Sequence, residues 1–422
     1  MITRKILYRP YSILVYILFT TTLFGRCSKQ KTMSSTNNGN EGGASNVVSP
    51  VPPSVIIDSV YNITSTGAYI AGHVSGKGSS NVVARGVIFS KDSLFSQPDS
   101  VEASSAYGDG RFICQLTGLD FEETYYVKVY ATNFETTGVS SRLSFTALTL
   151  QNATYNKKPI FIVGNTTASL DIQIVADRGI DISERGMVYG TSSDISSMTH
   201  KVTDKSGIGI GTFRLTLNDL TPATWYYVRP YTVDKAGINY GYVDSFKTIR
   251  PSDIQVVYNK PDNPTGDEAT FWKQIKIAAD SAAWYLSHYT SATKTYTINY
   301  SPGTPTADDN NEGWIRVGTS SSYWTIATME HEMNHGIGNG TTSWWTTMIQ
   351  NGIYTGKNGQ EMIRLITGDS TAVLNGDSQH FWPYGLNQNS EVTSSWDYVY
   401  SALIVESFRK DGLSNAGTYE AP

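Results

Sequence analysis

Part of this chain is written twice, and a duplication of that size restricts what it can fold into. Arg85-Gly86-Val87-Ile88-Phe89 is answered by Arg185-Gly186-Met187-Val188-Tyr189, and LTGLDFEETYYVKVYATN (Leu116 to Asn133) by LNDLTPATWYYVRPYTVD (Leu217 to Asp234). Ser144-Phe145-Thr146 and Ser245-Phe246-Lys247 keep the same offset of about 100 residues. Self-similarity at a fixed offset marks each copy as one structural module. Two domains are therefore expected, at 54–149 and 150–250.

Within each copy, short alternating segments such as Tyr69-Ile70-Ala71-Gly72 and Tyr126-Val127-Lys128-Val129-Tyr130 are separated by Gly, Asn, Asp and Ser turns. That pattern predicts an antiparallel sandwich. The shared LxxLxxxxxYYVxxY block resembles fibronectin type III domains. The resemblance implies that Tyr125 and Tyr226 supply the corner hydrogen bond of that sandwich. It says little about function, and the two modules are expected to act as spacers, with ligand binding by exposed loops as the alternative.

After Pro251 the pattern lengthens to helical periods. Thr265 with Glu268 predicts a capping box, and Phe271, Ile275, Ala278, Ala282, Tyr285 and Tyr289 lie on one face of a helix running to about Ser287. Thr295 to Tyr300 and Gly313 to Gly318 read as strands. A second helix, with Ser322 as its cap, carries Trp324, Ala327, Thr328, His331, Glu332 and His335 on one face, with both histidines expected toward the core. Ser394 with Asp397 starts a last helix through Val399, Tyr400, Leu403, Ile404 and Phe408, stopped at Gly412.

His331-Glu332-Met333-Asn334-His335 on that second helix spells HExxH. Residues four apart share a helix face, so two imidazoles can meet one metal while Glu332 flanks its water. Zinc lowers the pKa of such water to about 7, and a neighbouring carboxylate can then serve as general base. A long helix, a small sheet and an HExxH helix in that order is the organisation of zincin peptidases. HEMNHGIGNGT (His331 to Thr341) resembles the metzincin pattern HExxHxxGxxH through Gly338, with Thr341 where the third histidine would stand. A catalytic zinc usually takes three protein ligands, so the third must come from elsewhere.

Six histidines are present, at 73, 200, 288, 331, 335 and 380. The segments TADDNNEGWIRVG, HEMNHGIGNGT and HFWPYGLN together resemble secreted bacterial and fungal HExxH proteins related to metzincins. That resemblance implies His380 as third ligand, and for Tyr384 a hydrogen bond to the tetrahedral intermediate. Alternatives are a gluzincin-like Glu391 or Glu406, or Asp377. His288, ending the first long helix, reads as structural or exposed. No methionine follows Met362, so a conventional Met-turn is absent. The strand from Trp314 to Gly318 is expected to offer an edge on which extended substrate could lie.

Arg4, Lys5 and Arg9 precede an apolar run from Tyr11 to Phe24, shorter than the ~20 residues of a spanning helix, and Cys27 follows. This resembles a bacterial lipoprotein signal peptide over 1–27, departing from it at Arg26, where a small residue is usual. The resemblance implies lipid on Cys27; a plain secretory signal or an uncleaved N-terminal anchor is the alternative. Only Cys114 would remain, leaving no intrachain disulfide. Residues 28–53 read as a flexible linker rich in Ser, Asn, Gly and Pro. A net charge of −5 gives no case for nucleic acid.

The expected fold is multidomain: two all-β fibronectin III-like sandwiches, then an α+β zincin-like metallopeptidase domain over 251–422. The expected function is that of a Zn2+-dependent endopeptidase, monomeric, on an outer membrane or cell surface, or secreted if not lipidated. Zinc on His331, His335 and His380, with Glu332 as base, would hydrolyse a polypeptide or glycoprotein substrate. The alternative is a non-catalytic adhesin or glycan-binding lipoprotein on a degenerate metallopeptidase scaffold.

Overall fold

The computed structural model describes residues 49–422. The expected signal peptide, Cys27 and most of the 28–53 linker lie outside the described residues. Among the described residues, no helix is long and apolar enough to cross a membrane.

The two repeats are antiparallel β-sandwiches. In the first, Ser54–Tyr61, Gly67–Gly76 and Gly110–Thr117 form one sheet; Asp99–Glu102, Val82–Ser90, Thr124–Asn133 and Thr137–Val139 form the other, with Leu143–Thr146 also pairing to Thr124–Asn133. The second copy repeats this. Ala168–Ala176 pairs with Gly211–Leu217, while Glu184–Gly190 lies between His200–Thr203 and Trp225–Asp234.

The repeated Arg-Gly pair has a physical cause. A Cβ on Gly86 would sit 2.3 Å from the Val101 carbonyl oxygen, and one on Gly186 2.3 Å from that of Val202, so neighbouring strands close only over glycine. The Arg85 guanidinium donates to the Ser105, Gly108, Asp109 and Gly110 carbonyls, and Arg185 to Asp204 and the Gly209 and Ile210 carbonyls. Each buried arginine thus holds one loop shut. The tyrosine corners form as expected: Tyr125 Oη accepts from the Asp120 amide at 2.8 Å and Tyr226 Oη from the Thr221 amide at 2.9 Å.

Five helices follow, α1 (Gly266–Tyr289), α2 (Ile326–Ile337), α3 (Ser343–Met348), α4 (Lys357–Thr367) and α5 (Trp396–Lys410). Asp253–Tyr258 and Thr293–Tyr300 pair in parallel, which requires the crossover that α1 provides. Trp314–Val317 adds in parallel beside Thr293–Tyr300, and Ala307–Asp308 closes the sheet antiparallel. The core draws on Phe271, Ile275 and Leu286 of α1, Tyr296 and Ile298 of the sheet, Met329, Met333 and Ile337 of α2, and Leu403 and Phe408 of α5. The Tyr296 hydroxyl donates to the Met333 carbonyl at 2.6 Å, fixing α2 on the sheet.

Several expectations are corrected. The α1 capping box does not form: Thr265 makes no side-chain cap bond, and Glu268 instead accepts from Trp272 Nε1 at 3.2 Å. Thr325, not Ser322, caps α2, because Ser321–Tyr323 forms a separate 3-10 turn and the Thr325 hydroxyl takes the Thr328 amide. Trp314–Val317 is not the free edge, since Ala307 and Asp308 pair with Val317 and Arg316.

Nor is the second sandwich a mere spacer. Its Ile162, 1% exposed, is part of the same core as α1, α2 and α5, with Phe161 packed against it. The Asn165 amide and side chain donate to the His288 and Ser287 carbonyls at the end of α1, at 2.9 and 2.7 Å. Removing the Ile162 side chain to Ala should cost about 2–5 kcal/mol. Eight of the nine tryptophans lie at or after Trp272, so urea unfolding followed by tryptophan fluorescence reads this region. A 251–422 fragment is expected to unfold at lower urea than 150–422; equal midpoints would contradict the shared core.

Candidate metal centre

Helix α2 presents two faces. Met329, Met333 and Ile337 meet the hydrophobic core, whereas His331, Glu332 and His335 face a cleft, correcting the expectation that the histidines face the core. Glu330, fully buried, has no hydrogen-bond partner for either carboxyl oxygen among the described residues, and burial pushes its pKa well above the usual range.

His380 reaches the cleft by a tight hairpin. Asn375–Gly376 pairs with Phe381–Trp382, and the Asp377 carboxylate accepts from the Gln379 and His380 amides at 2.8 and 2.7 Å. Phe381, 1% exposed, anchors the returning strand against Trp345 and Phe408. The glycine-rich exit of α2 is what lets this hairpin approach. Gly340 has φ +72°, and a Cβ there would lie 2.1 Å from the Gln379 carbonyl oxygen. Only glycine fits that position without displacement.

His331, His335 and His380 thus converge, each offering one nitrogen within 4.8 Å of the others. Their orientation is fixed from behind. His331 Nδ1 donates to the Gly385 carbonyl at 2.8 Å, and His335 Nδ1 to the Asn339 carbonyl at 2.9 Å. A carbonyl only accepts, so both Nδ1 atoms carry the proton and both Nε2 atoms present lone pairs. Those two Nε2 atoms lie 3.2 Å apart. His380 Nδ1 is 3.4 Å from Asp377 Oδ1, which leaves its Nε2 for the shared centre. A backing acceptor behind each imidazole is the arrangement found around metal-ligating histidines.

Two lone pairs facing each other at that distance repel unless a cation lies between them. Burial, then the neighbouring His335, lowers the His331 pKa to about 3, and burial likewise lowers that of His335. Protonation therefore does not relieve the contact near neutral pH. Three imidazoles form a donor set suited to zinc, copper, iron or nickel.

Glu332, 6% exposed, lines the same cleft. Burial, with Asp309 and Asp308 close by, pushes its carboxyl up to about 8. Asp309 is likewise raised by burial to about 8, and its Oδ2 has no hydrogen-bond partner among the described residues. Thr341 also lines the cleft, but its hydroxyl donates to the His335 carbonyl at 2.6 Å and so braces the helix end.

The remaining candidates lie elsewhere. Tyr384 packs edge-to-face on Tyr400 at 5.3 Å and is not among the described residues lining the cleft. The backbone explains this: Tyr384 and Leu386 have φ of +67° and +56°, turning the Gly385 carbonyl toward His331 and the tyrosine ring outward toward α5. Glu406 bonds Ser291 and Arg409, and Glu391 ends a 3-10 turn outside the cleft lining. His288 stacks on Trp284 at 4.0 Å, as a structural residue would. The Gly385 and Asn339 carbonyls and Asp309 went unnoticed in the sequence, where only the paired acids at 308 and 309 could have signalled the last.

Replacing Asp377 with Ala should lower divalent-metal affinity by about 10–100-fold, measured by competition with a chromophoric chelator. Asp377→Asn, which keeps an acceptor for the turn amides, should lose less. Unchanged affinity in Asp377→Ala would show that His380 needs no such support.

No family model matches this chain, and no curated protein does. Among solved structures, the chain is similar to the sensor domain of the anti-sigma factor RsgI4 of Pseudobacteroides cellulosolvens, with 22% identity over 24% of this chain and 97% of that one, at a TM-score of 0.20. It is also similar to the FN1–FN3 domains of chicken CNTN1, with 16% identity over 47% of this chain and 69% of that one (TM-score 0.23). A two-domain fibronectin type III segment of chicken tenascin gives 15% identity over 47% and 99% (TM-score 0.22). The chain has fibronectin III-like β-sandwich neighbours, and a C-terminal α+β region that no family model covers.

Proposed function

We propose that this protein is a zinc-dependent endopeptidase whose 251–422 region is zincin-like and whose metal is held by His331, His335 and His380. The observation that carries the reading is the pair of unprotonated Nε2 atoms 3.2 Å apart, each fixed by a carbonyl behind its ring. That contact is unfavourable in the bare protein and favourable around a dication. A bound zinc would supply Lewis acidity toward the scissile carbonyl and a water of lowered pKa.

The chain's own residues account for the remaining steps. Glu332, adjacent to His331 and lining the cleft, takes the proton from the attacking water and passes it to the leaving amine nitrogen. A dication at the histidines favours its carboxylate form over the neutral form that burial imposes. Extended substrate lies along the outer side of Ala307–Asp308, since that edge, rather than Trp314–Val317, borders the cleft. Attachment to a bacterial envelope through lipid on Cys27 completes the proposal, with extracellular or periplasmic polypeptides as substrates.

Metal analysis and proteolysis of the purified full chain test it. Close to one zinc per chain is expected. Glu332→Gln should retain the metal while kcat falls by about 10²–10⁴-fold, and His380→Ala should lose most of the metal. A wild-type chain free of metal, or Glu332→Gln as active as wild type, would defeat the reading.

A further inference from the structure

The cleft beside the histidines has a volume of about 700 Å³, large for a slot that grips one side chain. Nineteen residues line it, and Leu386 is the one large aliphatic among the described residues. Leu386 is itself only 2% exposed, so little of it is available to a ligand. The walls are otherwise dominated by amides and hydroxyls, and no lysine or arginine is among the described lining residues.

These polar groups divide into two sets. Asn389 is committed to the protein, accepting from the Thr325 hydroxyl and donating to the Ser322 carbonyl, both at 2.7 Å. Asn387 is held by the protein as well, donating to the Phe381 carbonyl at 3.0 Å with its Oδ1 buried out of a ligand's reach. The side-chain amides of Gln379 and Gln388, by contrast, are exposed, bond no protein group among the described residues, and line the cleft. The acidic wall is not a free anionic site, because Arg316 grips Asp308 through two hydrogen bonds at 2.8 and 2.7 Å.

We infer that this cleft selects substrate segments rich in neutral hydroxyls around the cleaved bond, from serine and threonine side chains or from an O-linked sugar upon them. The inference rests on the peptidase reading and names its substrate class. An apolar side chain entering here meets a lining more polar than apolar, and it strips water from amides without replacing the lost hydrogen bonds. A hydroxyl-rich segment replaces the water on the Gln379 and Gln388 amides with hydrogen bonds of its own, and a site that hydrogen-bonds a hydroxyl discriminates against ligands that lack it. The breadth of the cleft leaves room for a residue together with a monosaccharide.

Three matched peptides given to the zinc-loaded full chain test this: one with serine and threonine flanking the bond, the same peptide carrying one O-linked N-acetylgalactosamine, and one with leucine and phenylalanine instead. At least one hydroxyl-rich peptide should exceed the apolar peptide by about tenfold or more in kcat/KM, and the ratio between the two identifies side chain or sugar as the source. Gln388→Leu, which adds apolar wall without touching the histidines or Glu332, should narrow the preference. The apolar peptide cleaved best, or a preference unmoved by both Gln388→Leu and Gln379→Leu, would overturn the inference while leaving the peptidase intact. A zinc-replete chain that cleaves none of the three would overturn the peptidase reading, and this inference with it.

Discussion

Two imidazole nitrogens held 3.2 Å apart with their lone pairs facing are the constraint around which the C-terminal region is arranged. Nothing within one helix turn would enforce that contact, since an unrestrained histidine could rotate or change tautomer. The Gly385 and Asn339 carbonyls forbid both by accepting a proton from each Nδ1. The protein has fixed an electrostatic conflict that a dication resolves, and burial keeps a proton from resolving it first.

Much of the surrounding fold serves to hold those two carbonyls and the third ring. Gly340 lets the α2 exit pass under the Gln379 carbonyl, so the His380 hairpin closes on the helix. Phe381 anchors that hairpin in the core through Trp345 and Phe408, and the left-handed Tyr384 and Leu386 aim the Gly385 carbonyl at His331. Tyr296 locks α2 to the sheet from the other side. Even the second sandwich participates, because Ile162 fills the core that supports α1 and α2. A site built in this way is positioned by packing rather than by a mobile loop alone.

What the sequence made legible was whatever side-chain identity encodes locally. Arg85, Gly86 and Tyr125, with their counterparts Arg185, Gly186 and Tyr226, act on backbone within their own sandwich, so their repetition revealed the modules. HExxH was readable because helix periodicity alone places His331 and His335 together. His380 came from a resemblance rather than from spacing, since a hairpin 45 residues beyond His335 leaves no periodic trace. The Nδ1 acceptors were invisible because any residue carries a carbonyl. The direction of the Tyr384 ring was not legible for a related reason: one left-handed residue reverses where a ring points, and sequence gives no direct view of φ. The docking of Ile162 was hidden as well, since a buried isoleucine in a sandwich strand looks the same whether it faces its own core or a neighbour's.

The measurement that bears most directly on the central claim is X-ray absorption at the zinc edge of the metal-loaded protein, with His380→Ala as its control. The account predicts three nitrogen ligands from imidazoles at about 2.0–2.1 Å and one further light-atom position open to water, with one imidazole lost in the variant. Four protein ligands, a sulfur in the shell, or an unchanged imidazole count in His380→Ala would contradict it.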